Sequence, residues 1–167
     1  MKKFFVCFYL LASSTVFCQE QFVFTDQGLN PTTISMEFQN ISVYSKSLKW
    51  IKDNSETHKI KVLDSLENEM ILFTASKGNA VSLDKQYFNV RYTIRLSFRE
   101  NHYTFEPTEI DLKLNSKYDM GWKPFNFKDT SQYFKKGKLI RKYRAYLNGI
   151  SQPINLLHQQ LVNFIGR

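Results

Sequence analysis

Three arginines, Arg91, Arg95 and Arg99, recur at every fourth position within a run where apolar and polar residues alternate. In a strand, successive side chains turn to opposite faces, so residues four apart share one face. A basic stripe of this kind is the chain's best candidate for contacting a phosphate backbone. Its neighbours weaken that reading. If Glu100-Asn101 forms a two-residue turn, Arg99 faces His102, Arg95 faces Glu106, and Arg91 faces Asp111 after a slip of one residue. The two inner arginines then each meet a carboxylate, which cancels the field that nucleic acid needs, and no nucleic-acid partner is expected. The histidines, His58, His102 and His158, lie far apart, and none stands at HExxH-like spacing. Glu67 with Glu69, and Glu106 with Glu109, are carboxylate pairs of the sort hydrolases use, yet such pairs on hairpins are ordinarily solvated charges. No GxSxG string occurs. No catalytic residue, metal ligand or cofactor site is assigned.

The aromatic residues after Asn115 are harder to set aside. Tyr118, Trp122, Phe125, Phe127, Tyr133 and Phe134 are spaced by Gly121, Pro124 and Gly137 and interleaved with Lys123, Asn126, Lys128 and Asp129. Aromatic planes among polar groups stack on sugar rings or anchor a protein partner. Tyr118, Trp122, Phe125 and Phe127 are therefore the candidate contact surface, for another envelope protein or a glycan. The plainer alternative is that Trp122, Phe125 and Phe127 cover an open edge or end of a sheet. Phe125 and Phe127, separated by Asn126, suit one face of an extended segment and are expected to be buried. Trp122, after Gly121 and two residues before Pro124, is expected to be partly exposed.

These groups need a scaffold, and 167 residues with 43% hydrophobic content make one domain. The first eighteen residues read as an export signal: Lys2 and Lys3, an apolar run from Phe4 to Leu11, then small and polar residues. Cleavage between Cys18 and Gln19 leaves residues 19–167 as the domain, periplasmic or secreted, with no membrane span. Acylation at Cys18 is disfavoured by the bulky Phe17 before it. Both cysteines, Cys7 and Cys18, fall in the leader, so the mature domain can form no disulfide. The whole chain carries 23 basic and 15 acidic residues, net +8, and removal of Lys2 and Lys3 leaves about +6. Anionic surfaces such as lipid head groups, lipopolysaccharide or acidic glycans match that excess, and so does plain solubility.

Periodicity places the elements. Phe22 to Phe38 reads as one broken strand interrupted by Gly28 and Pro31. Ile41, Tyr44, Leu48 and Ile51, broadened by Val43 and Trp50, predict an amphipathic helix over residues 42–54, capped by Asn40 or Ser42. Ile60 with Val62, Met70 to Ala75, Phe88 to Arg99, and the segment from His102 read as four strands, with a turn at Lys77-Gly78-Asn79 and a bulge at Pro107 to Thr108. Leu139 to Leu147 reads as a short helix, and Ser151-Gln152-Pro153 as the start of the last one. The order β-α-β-β-β-β-α gives an α+β fold: an antiparallel sheet with both helices on one face.

The stretch Tyr44 to Ile51, the run Met70 to Ala75 and the hairpin Tyr92 to Phe105 resemble the domain of unknown function 4468 family, which has a TATA-binding-protein-like fold. The resemblance covers residues 42–115 best and the C-terminal helix loosely. It implies an exported or envelope protein of Gram-negative bacteria and supplies a fold without an activity or a site. Two function classes follow: a non-catalytic binding module of the envelope, or a hydrolase acting on an envelope polymer.

Overall fold

The alternation that marks residues 88–105 is borne out in a computed structural model, which describes residues 20–38, 42–99, 102–118 and 121–166. The leader, Gln19, Asn40 and the turn at 100–101 lie outside the described residues. Strands β1 (Val23–Thr25) and β2 (Gly28–Asn30) form a small hairpin, and β3 (Ile34–Glu37) leads to helix α1 (Val43–Asp53). Next come β4 (Lys61–Leu66), β5 (Met70–Leu83), β6 (Gln86–Arg99), β7 (His102–Leu114) and the short β8 (Lys123–Pro124). A second small hairpin, β9 (Phe134–Lys135) and β10 (Lys138–Leu139), precedes the long helix α2 (Arg144–Ile165). The main sheet is antiparallel in the order β3-β7-β6-β5-β4, and β8 pairs with β7 beside β3. Without the small hairpins and β8, the chain order is β-α-β-β-β-β-α, as expected from the sequence.

The hairpin arithmetic holds residue by residue. Arg99 pairs with His102, Arg95 with Glu106 and Arg91 with Asp111, and Thr108 is the extra residue between Glu109 and Pro107. The dry face of the sheet carries Ile71, Phe73, Val90, Tyr92, Ile94, Leu96, Tyr103, Phe105 and Ile110, all buried. Both helices cover that face. Tyr44 of α1 meets Phe98 edge-on at 5.3 Å, and the Tyr92 hydroxyl donates to the Ile150 carbonyl of α2 at 2.5 Å. Burial also raises the Tyr92 pKa, so that hydroxyl stays a donor. Ahead of β1, Phe22 fills the core, its backbone N–H donating to the Asn155 side chain at 2.8 Å and its carbonyl accepting from the same amide at 2.9 Å.

Several expectations need correction. The N-terminal stretch is three strands: β1 turns back onto β2 with Gly28 at positive φ, and β3 then joins β7. In α1 the buried residues are Val43, Ser47, Trp50 and Ile51, while Leu48 is exposed. Val43, Trp50 and Ile51 of the expected stripe are buried and Tyr44 packs on Phe98, and the buried face centres on Trp50, which has the most apolar area to hide. Ser42 sits at the N-cap without a side-chain capping bond, its hydroxyl donating instead to Ser45. Lys77-Gly78-Asn79 lies in a bulge inside β5; the turn comes at Asp84-Lys85, both at positive φ as a two-residue hairpin loop requires.

Helix α2 runs unbroken through Pro153, so the two expected C-terminal helices are one, preceded by a single 3₁₀ turn at Arg141–Tyr143. Pro153 removes the N–H that would bond the Gly149 carbonyl. Gly149 is where the helix presses on the β5 bulge: a Cβ there would stand 2.4 Å from the Ala80 carbonyl oxygen. No described helix is long and apolar enough to cross a membrane.

Candidate functional site

The segment after β7 wraps from one face of the sheet to the other. Its β8 portion adds to the outer edge of β7, which β3 occupies further along, so Pro124 pairs with Asp111 and Lys123 with Leu112. Backbone contacts then hold it down. The Phe125 N–H donates to the Ile110 carbonyl at 2.8 Å, the Leu29 N–H donates to the Phe127 carbonyl at 2.8 Å, and the buried Thr130 hydroxyl donates to the Thr25 carbonyl. Gly28, at φ +120°, allows this: a Cβ there would lie 2.8 Å from the carbonyl oxygens of Phe127 and Lys128. The aromatic loop is thus seated on the N-terminal hairpin with a fixed backbone path.

That path separates the four candidate residues. Phe125 and Phe127 are 8% and 9% exposed and join the core, as their spacing predicted. Trp122 is half-buried on the polar face, with the Arg91 guanidinium 4.7 Å over its ring. Tyr118 is 79% exposed. They do not form one surface. Tyr118 and Phe125 meet at a cavity of about 580 Å³ on the helix-bearing face, at the end of the sheet, whereas Trp122 and Phe127 do not line it.

The cavity is assembled from three parts of the chain. Phe88, Leu112 and Leu114 come from the sheet end, Phe125, Asn126, Gln132 and Tyr133 from the loop, and Tyr146 from the first turn of α2. Gln86, Tyr118 and Lys123 stand at its margin. The rings brace one another: Phe125 stacks on Tyr133 at 6.1 Å, Tyr146 meets Phe88 edge-on at 6.4 Å, and Tyr133 lies 5.6 Å from Tyr146. Burial raises the pKa of Tyr133 and of Tyr146. Both present neutral hydroxyls. Phe88 and Tyr133 were legible as apolar and aromatic positions, but nothing local in the sequence brings them to Tyr146, which stood inside a supposed short helix.

The opposite face is neutralised. Arg91 donates to Asp111 at 2.9 Å, Arg95 to Glu106 at 3.3 Å, and the Thr93 hydroxyl to Glu109 at 3.0 Å. Thr93 is buried, contrary to its place in the polar register, because the bulge at Thr108 folds over it and the Thr108 hydroxyl bonds its carbonyl at 3.1 Å. His102 pairs with Glu37 at 2.8 Å, and His158 is buried among Phe22, Tyr103 and Phe105. Among the described residues no three His, Cys, Asp or Glu side chains gather as metal ligands do.

A scan against protein-family models finds no match, and a search of curated proteins finds none either. Solved structures do match. The crystal structure of a TBP-like protein from Parabacteroides distasonis superposes with a TM-score of 0.56 at 17% identity, over 80% of this chain and 90% of that one. A DUF4468 family protein from Bacteroides ovatus gives a TM-score of 0.46 at 14% identity, over 83% of this chain and 81% of that one. The first likeness shows the fold: an α+β, TBP-like sheet with its helices on one face. It carries no function with it.

Proposed function

We propose that the chain is an exported, non-catalytic binding module whose ligand seats in the cavity between the end of the sheet, the aromatic loop and the start of α2. The cavity itself carries this reading. It is concave, has the volume of a small-molecule site, and is lined by rings with a few amides and hydroxyls to fix orientation. The charged leader and the apolar run behind it support export.

The competing reading, a hydrolase acting on an envelope polymer, needs two carboxylates converging on a cleft. The described lining of this cavity contains none. Glu106 and Glu109 are engaged with Arg95 and Thr93, and Glu67 and Glu69 sit exposed around the β4–β5 turn. Ligand-observed NMR of the mature chain against saccharides and short peptides is the direct test. A binder that loses its signal in Tyr118→Ala and is recovered chemically intact supports the module; a binder recovered cleaved establishes the hydrolase. Mass spectrometry of envelope material should give Gln19 as the first residue, and a lipidated Cys18 would refute free export.

A further inference from the structure

Of the chain's net charge of +8, residues 117–144 alone carry +7: nine lysines and arginines against Asp119 and Asp129. The other residues are close to neutral. All nine cations are exposed, and none of them closes an ion pair among the described residues. On the sheet, by contrast, Arg91 and Arg95 are matched to Asp111 and Glu106.

Some of these charges reach the rings of the cavity or their neighbours. Lys123 lines it directly, the Lys117 ammonium lies 5.0 Å over the Tyr118 ring, and Lys142 lies 4.6 Å over Tyr143, which meets Tyr133 edge-on at 5.0 Å. The β9–β10 hairpin grows from Tyr133, whose carbonyl accepts the Ile140 N–H at 2.9 Å. In that hairpin Lys138 stands directly opposite Lys135, and Lys136 holds a left-handed φ of 53°. Like charges facing across a strand pair destabilise it, and a β-carbon residue at positive φ adds strain. A bound anion relieves the first cost. The pattern is that of a site whose counter-charge arrives with its ligand.

We infer that the ligand of this cavity is an acidic saccharide, its pyranose rings against the aromatic lining and its carboxylate, sulfate or phosphate groups at the lysine rim. The inference rests on the binding-module reading above and names its ligand class. Rings and amides are what sugar C–H faces and hydroxyls require, and the cations supply what a neutral sugar would not need. A flat anionic membrane is the poorer fit, because Lys123, and Lys117 through Tyr118, stand at a concavity. Nucleic acid is poorer too, because the sheet face that would lie along a duplex has its arginines paired to Asp111 and Glu106.

Calorimetric titration of the mature chain tests this with four probes: an oligogalacturonate, a neutral dextran oligosaccharide of equal length, a single-stranded oligonucleotide, and vesicles of phosphatidylglycerol. The oligogalacturonate is expected to bind most tightly and to weaken steeply with added salt. Tyr118→Ala, at an exposed position that folding does not need, should weaken it about tenfold. The pair Lys135→Gln and Lys138→Gln should weaken it about fivefold and flatten the salt dependence. Equal binding of dextran with the same Tyr118 dependence would overturn the acidic ligand and leave the module intact. Tighter binding of oligonucleotide or vesicles would overturn the saccharide class. Binding of no probe, or binding indifferent to Tyr118, would overturn the cavity reading as well.

Discussion

Acid should unfold this protein through one histidine. His158 is 1% exposed, enclosed by the rings of Phe22, Tyr103 and Phe105, and its Nε2 has no hydrogen-bond partner. Desolvation lowers its pKa from 6.5 to about 4. Between those values the unfolded chain takes up a proton that the folded chain refuses, so the unfolded state binds more protons and stability falls as pH falls. The full difference is worth about 3 kcal/mol, of which about 2 kcal/mol is lost between pH 7 and pH 4.5. Nothing nearby compensates it strongly. The Tyr103 hydroxyl is neutral, its pKa raised by burial, and Glu20, which shares a small cavity with His158, is exposed. Urea denaturation of the wild type and of His158→Leu, each at pH 7, 5.5 and 4.5, isolates this contribution, because the remaining carboxylates titrate alike in both proteins. The wild type should lose about 2 kcal/mol more than the variant over that range. Parallel pH profiles, or an imidazole NMR titration centred near 6.5, would refute the argument.

Gly149→Ala should destabilise by about 1 to 3 kcal/mol or more, since its Cβ would meet the Ala80 carbonyl at 2.4 Å and neither backbone can retreat cheaply; thermal denaturation reads this directly. Ile94→Ala, at a fully buried position on the dry face of the sheet, should cost about 2 to 5 kcal/mol by urea midpoint. Thr93→Ala on the other face should cost about 1 kcal/mol, through its lost bond to Glu109, and Arg95→Ala less than that. A Thr93 loss matching that of Ile94 would mean the two faces are assigned wrongly.

How far the sequence could be read depended on the distance over which its signals act. The β6–β7 hairpin was legible down to single pairs because alternation, a two-residue turn and one proline fix a register within about 25 residues. Pro107 announced the bulge at Thr108, and the bulge carried Arg91 onto Asp111. Helix α1 was legible as a helix and in most of its buried face, Val43, Trp50 and Ile51, with Leu48 the residue left exposed. Helix α2 was misread because a proline signals a first turn locally, while in the fold Gly149 and the β5 bulge hold the helix through Pro153. The cavity was the least legible feature. Tyr118 and Phe125 could be named, but Phe88 and Tyr146 join them only through pairing of β6 with β7 and packing of α2 across the sheet end.

Within the aromatic segment, the work of folding and the features that folding does not explain fall on different residues. Phe125, Phe127 and Thr130 close the end of the sheet and seat the segment on the β1–β2 hairpin. Tyr118, left wet, and the lysines of the β9–β10 hairpin, set against each other, contribute nothing to that closure. Departures from local rules concentrate where a protein meets something else, because there the missing partner is external. The pinned backbone matters for the same reason. A segment whose backbone is already held at Phe125, Phe127 and Thr130 gives up little backbone freedom there when the cavity fills, so the Phe125 ring is presented in place and a ligand has only the exposed side chains left to order.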